Sequence, residues 1–515
     1  MPTTRTFAWP RSNHDAGALY GMLAASAAAL AASAALVYAA RKLRHRDAKS
    51  LDSRVPPGDM GWPLFGETFA MVKDRVAFHE ERAAKYDPRA YSTHYLTFPT
   101  VALGCAELNT FALRAEAAGL IEPGPTTAQR KLLGLSSVFS QTGAMHLRLR
   151  KLIAPCFSPE AIKGYVNVVD GCVMRLLERA RSQTDALPPN KALSSDIFRH
   201  VAFEMLVAAA FEAEDLPDDK LDYYCELFTE ISNGIASVLQ VDLPFTALGR
   251  GLRARARAEQ EIDALIAKYR ATYAGQTPSS SPSKTSLLAR LLQSRDDLGD
   301  PLTQQELRDA VVSLMFAGSE TTFMTMSTLI ALLFAPSNAH VLGKLRAEVH
   351  NLFGTDTSQP LDAQTLRTAP YLNAVMNEAW RAVPPLLGLP RFAKTDLELP
   401  GTGWIVPKGW RILVSLAPVH FSGQFWGAEP KAFDPDRFLA KSAQAGPSMS
   451  QYYLPFGGGS RMCLGEQLAR LETRVFLVRI AQAYDFDVKS STHKTFFLNR
   501  HDCTFRVSRR GPSAP

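Results

Sequence analysis

The sequence predicts a mainly α body of the α+β kind, one large helical domain with small β-sheets, preceded by an N-terminal transmembrane helix. Three observations carry that prediction. A capping box at Thr303-Gln304-Gln305-Glu306 opens an apolar run that continues to about Phe334, where Pro336 closes it. The resulting helix is roughly thirty residues long against an average of ~11 to 12, and so apolar a helix belongs in the middle of a body. Strand-like pieces are short: Tyr91 to Leu103, Leu397 to Ile405, Arg411 to Ser415 and Phe496 to Val507. Finally, no charged residue occurs from Ala16 to Ala40. At ~1.5 Å per residue that stretch is long enough to cross a hydrocarbon layer of ~30 Å.

Taken in order, residues 1–15 form a tail and 16–40 the transmembrane anchor. A cleaved signal or transit peptide is the competing reading. Against it, the apolar run exceeds the ~7 to 15 residues of a signal core, and the basic cluster Arg41, Lys42, Arg44 and Arg46 follows the run instead of preceding it. The positive-inside tendency then puts the body in the cytosol. Residues 41–63 make a basic and proline-rich hinge, because the prolines in Val55-Pro56-Pro57-Gly58-Asp59-Met60-Gly61-Trp62-Pro63 deny helix. Residues 64–515 form the body, interrupted by a polar Ser- and Pro-rich loop from Gly275 to Ser286.

With 46% hydrophobic and 21% charged residues the chain has ample material for a core. Its formal charge of +7 is modest, and the excess beside the apolar run suits a membrane surface; no nucleic acid is expected as a partner. The six cysteines are scattered with no C-x-x-C pair, so five are expected to be reduced core residues. Cys463 is the exception.

It stands in Phe456-Gly457-Gly458-Gly459-Ser460-Arg461-Met462-Cys463-Leu464-Gly465, which fits F-x-x-G-x-R-x-C-x-G at every fixed position. An apolar helix from Leu464 through Ile480 follows, so the thiol lies at a positive helix N-terminus. The segment resembles the haem-binding loop of the cytochrome P450 family, and the resemblance extends over about Pro56 to Val507. It implies the cytochrome P450 fold and haem b as cofactor, with Cys463 as the axial thiolate ligand of the iron. Phe456 would cover the sulfur, Gly465 would let main-chain N–H groups turn toward it, and Arg461 would pair a haem propionate.

Other motifs follow in the family's order. Ala317-Gly318-Ser319-Glu320-Thr321-Thr322, in the middle of the long helix, is similar to the oxygen-activation motif, where the helix opens slightly over the iron. The resemblance gives Thr321 a hydrogen bond to dioxygen or a nearby water, and Glu320 a part in relaying protons. Glu378 and Arg381 form E-x-x-R, and Arg437 in Phe433-Asp434-Pro435-Asp436-Arg437-Phe438 completes a Glu-Arg-Arg cluster, expected to be structural. His146 and Arg150, together with Arg391, resemble the remaining propionate partners, although many members carry Trp where His146 stands.

The Pro-Pro-Gly hinge and the Asp242-Leu243-Pro244-Phe245 turn look most like the branch containing plant hormone, sterol and retinoid hydroxylases; the tail from Thr495 to Cys503 departs from it. The implied function is a monooxygenase that inserts one atom of O2 into a lipophilic substrate, a sterol, terpenoid or related isoprenoid. Phe316, Ala317, Leu386, Leu387 and Phe497 are candidate pocket residues. No flavin or nicotinamide motif is present, so electrons are expected from NADPH-cytochrome P450 reductase or a ferredoxin, docked on a basic face near Cys463. The expected location is the endoplasmic reticulum membrane, single-pass with a cytosolic catalytic domain, or else the plastid envelope. Two alternatives remain at this stage: a haem-thiolate isomerase or dehydratase acting without O2, and a non-catalytic haem-binding protein.

Overall fold

The long helix is the axis of the molecule in the computed structural model, which describes residues 54–62, 66–95, 98–211, 217–237, 240–272, 286–442, 449–494 and 500–510. The anchor at 16–40, the basic cluster and Phe497 lie outside the described residues. Among the described residues no single helix is long and apolar enough to cross a membrane.

The principal helices are α1 (Arg75–Lys85), α2 (Ala106–Ala117), α3 (Gly143–Ile153), α4 (Pro159–Ala186), α5 (Ile197–Phe211), α6 (Asp218–Ala236), α7 (Ala247–Thr272), α8 (Gln304–Leu333), α9 (Ala339–Phe353), α10 (Pro370–Ala382) and α11 (Glu466–Ala483). Helix α8 starts as the sequence says. Thr303 Oγ1 accepts from the Glu306 N–H at 3.2 Å, and the Glu306 carboxylate accepts from the Thr303 N–H at 2.8 Å. The helix stops at Phe334, two residues before Pro336. Most of its side chains are buried, because α5, α7, α11 and the C-terminal strands surround it.

Gly318 has a packing reason. A Cβ there would lie 2.8 Å from both δ-carbons of Leu206 on α5, so the missing side chain lets the two helices approach. The burial gained offsets the ~1 kcal/mol of intrinsic helix propensity that a glycine forfeits. Nearby, Phe198 of α5 packs edge-on against Phe476 of α11 at 5.7 Å and stacks on Phe505 at 5.4 Å, locking helix, helix and strand together.

A five-stranded sheet stands beside this helical core. Its strands are β1 (Ala90–Tyr95), β2 (Phe98–Leu103), β3 (Ile121–Pro123), β5 (Gly388–Ala393) and β8 (Arg411–Ser415), in the order β1-β2-β8-β5-β3, with only β2 and β8 parallel. Val101, Ile412 and Val414 on one face pack with Leu108 and Ala112 of α2; Ala102 and Leu413 on the other pack with Phe78 of α1. This alternation seats α2 against the sheet and brings its C-terminal turn toward Arg391 on β5.

Three expectations are corrected here. Leu397 to Ile405 is two short strands, β6 (Leu397–Glu398) and β7 (Ile405–Val406), because Gly401 and Gly403 adopt φ of 70° and 74° and turn the chain between them. Of the expected strand Phe496 to Val507 the described part is β10 (Arg500–Arg509), which ends two residues later than expected and pairs with β4 (Leu193–Ser194) and with a strand the sequence reading missed, β9 (Tyr484–Lys494); its expected start lies outside the described residues. The helix after Cys463 begins at Glu466, two residues later than expected, and runs to Ala483.

Candidate functional site

The loop before α11 is shaped by main-chain bonds. Leu454 N–H donates to Nε2 of the buried His420 at 2.9 Å, Gly457 N–H to Leu454 O at 2.9 Å, and Cys463 N–H to Phe456 O at 3.0 Å. Two turns need glycine, since Gly457 and Gly459 have φ of 73° and 68°. The loop therefore closes on itself, with Phe456 packed edge-on against Trp380 of α10 at 4.8 Å and Arg470 over both rings. Cys463 is surrounded by protein, yet its side chain is accessible. Burial pushes the thiol above its ordinary value, while the N–H groups of Gly465 and Glu466, aimed at the sulfur, and the charge of Arg150 pull it down. Burial prevails in the thiol; coordination to a metal ion would remove its proton outright.

His146, Arg150, Arg391 and Arg461 come together beside this loop. His146 is buried and its pKa is depressed to about 4, first by burial and then by Arg461, Arg150 and Arg391, so the ring is neutral at neutral pH. Arg461 donates to Val138 O at 3.2 Å and Gln141 O at 2.7 Å, tying the loop to the segment before α3. One member was not foreseen. Glu116, at the end of α2, accepts from Arg391 Nε at 2.9 Å and lies 2.7 Å from Arg461 Nε. With the histidine neutral, three guanidiniums and one carboxylate leave an excess of two positive charges. A buried excess of that size calls for a dianion.

On α8, Glu320 is buried and ion-paired with Arg199 of α5, another residue the sequence reading did not single out. A lone arginine inside the apolar run Ile197–Phe211 was the available signal. Thr321 Oγ1 donates to Ala317 O at 2.8 Å, and α8 continues without a break through the motif, so the expected opening of the helix is not present. Thr322 Oγ1 donates to Glu472 of α11 at 2.7 Å. Burial raises the Glu472 pKa to about 8, with the Thr322 hydroxyl opposing it. Outside this cluster, a cleft of about 620 Å³ between α5 and α6 is walled by Arg199 together with His200, Asp222, Glu226 and Glu230.

The Glu-Arg-Arg cluster forms, with unequal partners. Glu378 and Arg381 are both fully buried and paired at 2.6 and 2.7 Å. Arg437 approaches Glu378 only to 3.6 Å and spends its Nη atoms on the carbonyls of Trp426 and Glu429, at 2.5 Å each. Among the candidate pocket residues, Leu387 is buried in the fold, Leu386 is 37% exposed, and Phe316 and Ala317 are half-buried.

A thiol cradled by main-chain N–H groups, next to a basin suited to a dianion, fits haem with its two propionates; the class of protein is a haem-thiolate protein. The cytochrome P450 family profile matches residues 56–509, so the chain belongs to that family, which uses haem with a cysteine thiolate axial ligand and acts as a monooxygenase. It is 30% identical to cytochrome P450 26A1 of Gallus gallus over 437 residues, 84% of this chain and 85% of the relative. It is 31% identical to putative cytochrome P450 120 of Synechocystis over 435 residues, covering 84% and 90% of the two chains. The solved structure of retinoic acid-bound cyanobacterial CYP120A1 superposes with a TM-score of 0.75 at 28% identity, covering 89% of this chain and 99% of that one.

Proposed function

We propose that this monooxygenase hydroxylates a lipophilic isoprenoid, a sterol, terpenoid or retinoid, with electrons from a separate NADPH-cytochrome P450 reductase or ferredoxin, while anchored in the endoplasmic reticulum or plastid envelope membrane by residues 16–40. The observation that carries the site assignment is the accessible Cys463 thiol beside the cationic basin, which fits one particular prosthetic group at both of its poles. Retinoic acid in the cyanobacterial relative supports an isoprenoid of that size. Haem, when bound, supplies the iron at which O2 is reduced by two electrons.

The chain's own residues do the rest. Cys463 provides the thiolate, with the N–H groups of Gly465 and Glu466 tuning the sulfur. Arg150, Arg391, Arg461 and His146 would hold the haem propionates, and Phe456, braced by Trp380, would help keep water from the sulfur. Glu320, paired with Arg199 at the wall of the α5–α6 cleft, would hold and pass a proton toward Thr321, whose hydroxyl now donates to the Ala317 carbonyl and would be free to turn toward bound substrate or water. Glu378, Arg381 and Arg437 hold the polypeptide under the Cys loop.

A screen of sterols, terpenoids and retinoids with NADPH and reductase tests the substrate class, and dependence on all three components is expected. Cys463→Ser should lose the reduced-carbonyl Soret band of a thiolate haem. An unchanged band in that variant would refute the ligand assignment. Thr321→Ala should divert electrons into peroxide; unaltered coupling of NADPH to product would remove Thr321 from the mechanism.

A further inference from the structure

Among the described residues Glu116 is the acid paired with the arginines of a basin that has to receive two carboxylates, and an acid there works against propionate binding unless it does something else. Its side chain is 4% exposed, so its charge is not dissipated into water. Its two oxygens divide between two arginines that arrive from distant parts of the chain: Oε2 takes the Arg391 Nε bond from β5, and Oε1 faces Arg461 Nε of the Cys loop. The second contact, at 2.7 Å, is the only one Oε1 makes among the described residues, so this buried oxygen depends on Arg461. The guanidiniums repel one another, and burial together with Arg391 and Arg150 weighs against the charge on Arg461, which Glu116 supports.

We infer that Glu116 is a positioning residue for the haem: it clamps Arg391 and Arg461 side by side and trims the basin of three arginines to the two positive charges that the two propionates neutralise. Without it, like charges would drive the two guanidiniums apart, and the bound haem would sit in a site one positive charge in excess. Since an uncompensated positive charge favours the ferrous over the ferric state, Glu116 also keeps the reduction potential low. The inference rests on the haem site assigned above. That assignment is tested separately by haem binding to the unaltered chain.

The experiment is a charge-compensation cycle on the full-length, haem-loaded protein. Glu116→Gln, Arg391→Gln and the double variant are compared by spectroelectrochemical titration and by the rate of haem transfer to apomyoglobin. Glu116→Gln should move the reduction potential positive, and Arg391→Gln should move it negative. The double variant restores two net charges and should return close to the unaltered protein, while haem transfer from all three is at least about fivefold faster. A residue that merely packs would not give opposite shifts that cancel. Glu116→Asp covers the case in which Glu116→Gln does not fold: it keeps the charge but shortens the clamp, so haem transfer should accelerate with the potential unmoved. An unshifted potential in Glu116→Gln, shifts of the same sign in the two single variants, or unaltered haem transfer in Glu116→Asp would overturn the inference.

Discussion

Replacing Arg381 by Ala removes more than a salt bridge. The guanidinium bonds both oxygens of Glu378, at 2.6 and 2.7 Å, and also the carbonyls of His420 at 2.7 Å, Pro430 at 2.5 Å and Ala432 at 3.0 Å. Burial already pushes the Glu378 carboxyl above its ordinary value, and Arg381 is the first influence holding it down. Arg437 at 3.6 Å is too distant to take over. Stranding one member of a buried pair costs about 3–5 kcal/mol, and each carbonyl left without a donor adds up to about 1–3 kcal/mol, less than additively. Against a total stability of about 5–15 kcal/mol the variant should be largely unfolded or unable to hold haem. Urea unfolding followed by circular dichroism, with the reduced-carbonyl band as a second probe, measures both. The double variant Glu378→Leu/Arg381→Met, which removes both charges of the pair and leaves Arg437 on its carbonyl partners, should be more stable than Arg381→Ala alone. A single variant with an unchanged urea midpoint, or a double variant worse than the single, would show that the network does not hold the structure in this way.

Three further outcomes follow from the central helix. Glu472 has a folded pKa of about 8 against about 4.5 unfolded, so between those values the folded chain carries a proton the unfolded chain lacks. Stability from this group is therefore full below about pH 4.5, falls by about 1.4 kcal/mol per pH unit as pH rises through that window, and levels off above pH 8; Glu472→Gln should flatten the slope in a melt series, and an unaltered slope would place the proton elsewhere. Arg199→Gln leaves Glu320 without its cationic partner and should lower product formed per NADPH several-fold, with little change in substrate affinity by spectral titration. Gly318→Val drives a branched side chain into Leu206 and should cost about 1–3 kcal/mol, part of which Leu206→Ala in the same chain restores; a neutral Gly318→Val would mean α5 and α8 can separate freely.

The long helix was legible because its start, length and stop all lie in local sequence: Thr303, the apolar run and Pro336. The Cys loop was legible because its turns demand glycine at fixed offsets, which leaves a mark in the chain. Glu116 and Arg199 left no comparable mark. Each acts through a partner hundreds or at least a hundred residues away, and pairing between such positions is decided by how helices and sheet pack. Glu472 was closer to view, as an acid in an apolar helix nine residues past Cys463, but its partner Thr322 is known only once α8 and α11 meet. Strand β9 was missed for a related reason, since its alternation of Asp485, Phe486, Asp487 and Val488 gains meaning only against β10.

Arg199 belongs at once to the wall of the α5–α6 cleft and to the ion pair of Glu320. Water standing in the cleft is thus one side chain away from the acid of the central helix, and the barrier between them is a rotatable group on a fixed backbone. Exposed side chains rotate in nanoseconds or less, whereas Arg199 is mostly buried and has first to leave Glu320 and the Phe323 ring. On the role proposed for Glu320, delivery of hydrogen ions through this doorway would need one side chain to turn and no rearrangement of helices, with the interior otherwise closed to bulk solvent.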